Sequence, residues 1–318
     1  MIVVRPFTNS DPPKLVELWN HQPISRGLAQ PMAVSLLEAQ VFAKPYFQPG
    51  NLLIAEIEGQ LAGMAHLVPS GPLMPDEIRA EVANLPIVLA ANIPEAADVE
   101  DALIRAAEAI VRETSATSIV LGGTTEPGPF YFGLAKGSCN RGALVSDTRM
   151  IELAARHGFD HAQSWRVFHR TLRGFRPPVD RNQIAARRSM NVLREDDPAY
   201  SSFSDACIYM HQHRTRYSLI QKQGSEELAH LTVVQMEAFS HLRGVRMSGI
   251  VDMHSLTTCT DVQAQFFLAE TLRQITEEGT AVVETQVASD NEMLTQVVDT
   301  LGFEAIDELR LMTKPIDK

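Results

Sequence analysis

Apolar and polar positions divide the chain into short runs of two kinds. Period-two or unbroken apolar runs predict strands over residues 2–7, 51–57, 60–68, 85–91 and 118–121. The runs 51–57 and 60–68 flank Glu58-Gly59, a hairpin signal. Helical spacing predicts helices after Asp11, where Leu15, Leu18 and Trp19 recur, over 34–42, and over 95–113. In the last of these Val99, Leu103, Ala106 and Ile110 share one face. Asp11 stands before Pro12 and Pro13 as an expected N-cap. A Pro-rich and then polar connection is expected over 69–84, and a long loop over 122–145.

The pattern then repeats. Residues 146–170 and 289–314 each begin with Ser-Asp, continue as a short helical pattern, reach a Gly-Phe pair and close as a strand. With one gap, Gly158 matches Gly302, Phe159 matches Phe303 and Arg166 matches Arg310. Such self-similarity implies two structural units of one type. Read backwards from its own copy, the second unit has a strand at 281–286 and a helix at 261–278. In that helix Phe266, Ala269, Leu272 and Ile275 make an imperfect apolar side. A strand is expected at 247–256, a hairpin of 217–221 with 227–236 over Gln223-Gly224, a helix-like stretch at 199–210 and a strand at 190–193. The Glu-Leu-Ala-His at 227–230 echoes Gln-Leu-Ala-Gly at 60–63. The expected class is α/β: two tandem domains, each a mixed, mostly antiparallel sheet with helices on both faces. The boundaries read as 1–172, a linker at 173–188 marked by Pro177-Pro178, and 189–318.

Composition narrows the partners. A chain of 318 residues with 45% hydrophobic and 21% charged residues suits two soluble domains. A net charge of −11 argues against general nucleic-acid binding. Cys139, Cys207 and Cys259 are odd in number and far apart, which fits a reducing cytoplasm. No signal-peptide pattern and no run of membrane-spanning length is visible, so no membrane partner is expected. The segment 173–194 carries six arginines and one acid and reads either as a solvated linker or as a surface for an anion. His211-Gln212-His213 lacks companions at metal-ligand spacing, so no metal is expected.

The element order resembles that of the GNAT superfamily of N-acetyltransferases, over nearly the whole chain and in two tandem copies, a layout similar to mycothiol synthase. Three places carry the resemblance. They are the hairpin LLIAEIEGQLAGMAHL at 52–67, the segment SDNEMLTQVVDTLGFEAI with Asn291 eleven residues before Gly302, and the strand-then-helix order at 85–113 and 247–278. The resemblance implies acetyl-CoA or another acyl-CoA as co-substrate and a small-molecule or peptide amine as acceptor. It also implies a pyrophosphate site where a strand leads into a helix, with glycines letting backbone N–H groups close around the anion. Here the sequence departs from the family. The first unit has Glu95-Ala96-Ala97-Asp98-Val99-Glu100 at that place, acidic and without glycine. The second has the residues from Thr257 to Gln265, also without glycine but with hydroxyl side chains. The cofactor-site candidates are therefore Ser255, Leu256, Thr257, Thr258, Thr260, Gln263, Ala264 and Asn291. A Thr/Asp helix cap explains the threonines equally well.

For chemistry the resemblance implies a base that removes one amine proton. Asp252 and His254, two apart on the expected strand 247–256, would share a face, and Glu284 would stand on the neighbouring strand. These are the catalytic candidates, with a hydrogen-bonded structural pair as the alternative. The family's thiolate-protonating tyrosine falls at Val298 and Ala154, neither of which donates a proton. The loop 122–145 contains GGTTEPGPFYFGL without the Gly-Lys-Ser/Thr of a phosphate-binding loop. Its Phe130, Tyr131 and Phe132 either plug the first unit's thioester site, line a pocket or cover the core. Three functions follow. One is an acyl-CoA-dependent N-acyltransferase with its chemistry in the second unit and a degenerate first unit. Another is an inactive tandem module that binds a ligand or assembles. The third is the transfer of a different activated group, such as an aminoacyl unit, on the same scaffold.

Overall fold

The structure, a computed structural model, describes residues 1–70, 82–124 and 128–317. It forms two compact units, one of Met1–Ser164, Tyr200–His211 and Leu309–Lys318, the other of Trp165–Ala199 and Gln212–Glu308.

The first unit runs β1 (Ile2–Pro6), α1 (Pro12–Asn20), α2 (Val34–Leu37) continuing into a π turn, β2 (Leu52–Ile57) and β3 (Gln60–Ser70). Then come β4 (Val82–Ala90), α3 (Ala96–Arg112), β5 (Ser118–Leu121), β6 (Ala143–Leu144), α4 (Thr148–Arg156) and the start of β7 (Asp160–Thr171). The strands lie in the order β1-β2-β3-β4-β5, and Met312 to Pro315 of the chain's last strand pair with β5. The β4–β5 pair is parallel and the others are antiparallel.

The rest of the chain is α5 (Arg181–Ser189), β8 (Met190–Asp196), α6 (Phe203–Tyr209), β9 (Arg214–Gln221), β10 (Glu227–Gln235), α7 (Glu237–Arg243), β11 (Met247–Val251), α8 (Asp261–Glu277), β12 (Val282–Ala288), α9 (Glu292–Thr300) and β13 (Glu304–Pro315). The second unit's sheet has the order β8-β9-β10-β11-β12-β7, with β11–β12 as its parallel pair. Each unit thus has the same succession of strand senses. Each is closed by the last strand of the other repeat: Trp165 to Thr171 of β7 pair with β12, and the end of β13 pairs with β5.

These pairings explain where the units depart from the sequence boundaries 1–172 and 189–318. The closing strands and α6 belong to the unit whose core they complete. The expected linker 173–188 holds most of α5, capped by Asp180 at Gln183 N and buried through Gln183 and Ala186. The connection expected over 69–84 falls mostly on 71–81, outside the described residues. Within the described ones, β3 reaches Ser70 and β4 begins at Val82. Asp11 does not cap α1 with its side chain. It is buried, paired with Arg5 (2.8 Å), and accepts from Thr8 N.

The repeated Ser-Asp…Gly-Phe sequence has one local cause in both units. Asp147 accepts from Met150 N and Asn291 from Leu294 N, so each opens its helix as an N-cap. Gly158 (φ 67°) and Gly302 (φ 75°) close the helices in the left-handed region. In the first unit Phe159 N bonds Ala154 O and Gly158 N bonds Ala155 O; in the second, Phe303 N bonds Val298 O and Gly302 N bonds Asp299 O. This double bond pattern is the Schellman motif, and the phenylalanine after the glycine is buried in each case. Ala154 and Val298, at the place of the family's tyrosine, lie in the two hydrophobic cores.

His66 alternates with Ala65 and Leu67, which face the core under α3, so it points to the other face of the first unit's sheet. There it bonds the Tyr131 hydroxyl (3.0 Å) and packs on Phe47 and Phe130. Phe130, Tyr131 and Phe132 are all buried, so this part of the loop 122–145 is core. Burial pushes the His66 imidazole down to about 3.

Gly302→Ala is expected to lower stability by about 1–2 kcal/mol, the cost of a left-handed alanine, and more than Gly158→Ala. A Cβ at Gly302 meets the Arg170 guanidinium at 3.0 Å, whereas none within 4 Å faces Gly158. Urea unfolding of both variants checks the order. For His66, the unfolded chain takes up a proton below its ordinary value while the folded chain does not. Stability therefore falls as pH drops from about 6.5 toward about 3, by at most about 1.4 kcal/mol per unit. His66→Asn should flatten that slope between pH 6.5 and 5 in urea unfolding.

Candidate functional site

In each unit the parallel strands start as partners and then part. In the first, pairing runs from Val82↔Ser118 to Leu85↔Leu121, after which β4 continues without β5. The carbonyls of Pro86, Val88 and Ala90, at alternate positions on one edge, need other donors. Side chains supply them. Lys136 Nζ donates to Pro86 O (2.7 Å), Arg26 Nη2 to Val88 O (3.0 Å) and Gln22 Nε2 to Ala90 O (3.1 Å). All three side chains are buried. Lys136 also donates to Gly122 O and Asn140 Oδ1, and burial pushes its ammonium down to about 7. Arg26 is braced by Asp147 (3.0 Å) and Gln22 Oε1 (3.2 Å). The gap between β4 and β5 is thus filled by the unit's own cations.

The acids at and beside the first unit's matching segment are partly engaged elsewhere. Glu100 is buried and paired with Arg149 (2.7 Å) and Arg156 (3.2 Å), and Asp101 binds Arg156 and His157. Glu95 stands at the N-cap of α3 without a side-chain cap bond, and Asp98 lies in the first turn.

In the second unit pairing runs from Met247↔Val282 to Ile250↔Thr285, and Thr285 Oγ1 donates to Ile250 O (3.1 Å). β12 continues to Ala288, while β11 stops at Val251. The strand expected to reach 256 ends there because Asp252 takes a left-handed φ of 57°, and a 3-10 turn follows over His254–Thr258. Asp252 and His254 therefore do not share a strand face, and both are exposed. Asp252 Oδ2 lies 3.5 Å from His230 Nε2. His230 Nδ1 bonds Glu227 Oε1 (3.1 Å), which also receives Arg216 (2.7 Å). Burial pushes Glu227 up, but the Ser218 hydroxyl, Arg216 and His230 together hold it below the ordinary carboxylate value. Glu284 stands on β12 opposite His169 of β7 and accepts from its ring (2.8 Å), with both side chains largely buried.

The candidate cofactor residues take these places. The Ser255 hydroxyl accepts from His230 N (2.9 Å) and donates to His230 O, replacing the ladder that β11 abandons. Leu256 and Ala264 are fully buried in the core. Thr257 and Thr258 donate their hydroxyls to His254 O and Ser255 O. Thr260 and Gln263 form a reciprocal capping box at the start of α8. Asn291 caps α9. The turn and the helix start thus satisfy themselves, and they carry no glycine cradle of the family's kind.

His230 and Glu227 escape sequence reasoning. Three apart on a regular strand, they would face opposite sides. A register shift between Glu227 and Ala229 brings them together. Among the described residues no group of three or more His, Cys, Asp or Glu side chains is arranged to hold a metal ion. No helix among them is long and apolar enough to cross a membrane.

No family model matches the sequence, and no curated protein does. Solved structures do. A tandem GNAT protein from the clavulanic acid biosynthesis pathway superposes with a TM-score of 0.65 at 14% identity, over 100% of this chain and 99% of that one. A GCN5-related N-acetyltransferase from Sphaerobacter thermophilus gives 0.62 at 12% identity, over 100% and 96%. The glucosamine N-acetyltransferase region of a fungal multi-domain β-N-acetylglucosaminidase gives 0.66 at 13%, over 99% of this chain and 38% of that one. At these identities the likeness is one of fold, and the chain has the fold of the tandem GCN5-related N-acetyltransferases.

Proposed function

We propose that the protein is an acyl-CoA-dependent N-acyltransferase that works in its second unit, on a small-molecule or peptide amine. The observation that carries this reading is the contrast between the two strand partings. In the first unit the edge of β4 is occupied by Lys136, Arg26 and Gln22. In the second, β11 ends in exposed polar residues, with Asp252 beside His230. An acyl group brought to that end would meet groups able to take an amine proton. The pyrophosphate would lie toward the start of α8, where the helix dipole favours an anion. The residues from Thr257 to Gln265 put a single acid there, Asp261, against the several of the first unit.

The absent cradle favours a second reading, an inactive tandem module. The hydroxyls of Thr257 and Thr258 already donate to main-chain carbonyls, and Thr260 is committed to the cap. That reading predicts that Asp252→Ala and Glu284→Ala leave the biological activity intact.

Isothermal titration of acetyl-CoA into the full chain separates the two. Acyl transfer in the second unit predicts one site per chain. Gln263→Glu keeps the capping box but adds a charge at the start of α8, and should weaken binding about tenfold, about 1.4 kcal/mol. Asp98→Lys, on the first unit's α3, should change binding little. No binding at high micromolar acetyl-CoA, at two temperatures, would exclude the acyltransferase.

A further inference from the structure

The cluster at the end of β11 has a chemistry of its own. Glu227, His230 and Asp252 come from the bulged start of β10 and from the residue that follows β11. The Glu227 carboxylate accepts hydrogen bonds and donates none, so His230 Nδ1, 3.1 Å from it, carries a proton. In the neutral ring His230 Nε2 is then left with a lone pair. Asp252 Oδ2 lies 3.5 Å from that nitrogen. Two acceptors face each other at a distance too long for a hydrogen bond between them.

The His230 ring is tethered through Nδ1 to Glu227, and the main chain under both groups is fixed. The His230 main chain is held on both its N–H and its carbonyl by the Ser255 hydroxyl. Asp252 sits at φ 57°, a conformation that costs a non-glycine residue energy and that concentrates at functional sites. Arg216 from β9 neutralises Glu227 on the far side of the ring, so the Nε2 side keeps the charge of Asp252. The side chains of His230 and Asp252 are 35% and 52% exposed, open to an incoming molecule.

We propose that His230 Nε2 and Asp252 Oδ2 form a socket for a protonated primary amine, and that His230 accepts the proton the amine sheds before it reacts. An ammonium group supplies the two N–H donors that the facing acceptors lack. The first half of the proposal stands on geometry alone; the second rests on the acyl-transfer reading. In that step the ammonium proton passes to Nε2, and the freed nitrogen pair forms a bond to the thioester carbonyl carbon. The carbon–sulfur bond breaks with its electron pair leaving on the CoA sulfur, and the second proton that the nitrogen loses as it becomes an amide passes through solvent to that sulfur. His230 returns its proton to water. Glu227 is a positioning residue, because it sets which ring nitrogen is basic.

The test is nitrogen-15 NMR of the histidine rings in the full chain at pH 8, with His230→Gln to assign the signal and n-propylammonium chloride as probe. The expected result is a neutral ring protonated at Nδ1, whose Nε2 resonance moves saturably with n-propylammonium but not with tetramethylammonium, which has no N–H. Asp252→Asn should weaken that response at least tenfold, and Glu227→Gln should shift the ring toward the Nε2–H tautomer. A ring protonated at Nε2, an imidazolium persisting at pH 8, or a ring indifferent to n-propylammonium would overturn the socket. A parallel assay of acetyl transfer from acetyl-CoA to n-propylamine keeps the two readings apart. No transfer with the amine response intact refutes acyl transfer and leaves the socket standing. Transfer whose pH profile is unchanged in His230→Gln refutes the proton-accepting role.

Discussion

Two parallel strands that part company leave backbone groups without partners, and much of this protein is arranged around that fact. A buried carbonyl left unbonded costs about 1–3 kcal/mol. The first unit leaves three on one edge of β4 and closes each with a side chain, two of them cationic. A buried cation is itself expensive unless its protons are all taken up. Lys136 meets that condition with three acceptors, and Arg26 places three of its five N–H groups on Val88 O, Gln22 and Asp147. The arrangement ties the residues following α1, the loop after β5 and the start of α4 to one strand edge. Opening the gap for a ligand would undo several of these bonds together.

The second unit meets the same constraint more lightly. β11 stops as soon as its pairing with β12 stops, so it leaves no long bare edge. The neighbouring β10 is the strand left short of a partner, and the Ser255 hydroxyl serves both backbone groups of His230. This solution needs no buried charge. It also leaves the end of the strand open, with Asp252 and His230 facing each other there.

Much of this fold is legible in the sequence, because its signals are local. The Glu58-Gly59 hairpin needs positive φ at both turn residues, and it has them, 52° and 77°. The Gly-Phe repeat encodes a helix ending that depends only on a left-handed glycine and a buried ring. The site is less legible, because its signals are not local. Nothing near Asp252 marks it as left-handed, so a strand to 256 is the natural reading. The bulge that joins Glu227 to His230 depends on pairing with β9. Lys136 and Arg26 are separated by more than a hundred residues, and only the fold shows that they serve one strand. The exchange of closing strands is hidden for the same reason: the two copies carry the same local pattern, and only the pairing shows which sheet each closes.

Access to solvent distinguishes two of the second unit's carboxylate–imidazole pairs. Glu284 and His169 are bonded at 2.8 Å with side chains 5% and 13% exposed. A hydrogen bond that short already uses the ring nitrogen facing the carboxylate, and burial keeps other molecules from it. Such a pair joins β12 to β7 and suits a structural role. Asp252 and His230 are set too far apart to satisfy each other and are exposed enough to be reached. A group that must take a proton from an incoming amine needs an open lone pair and a path to it. Of the two pairs, the one on the broken edge of β11 meets both conditions.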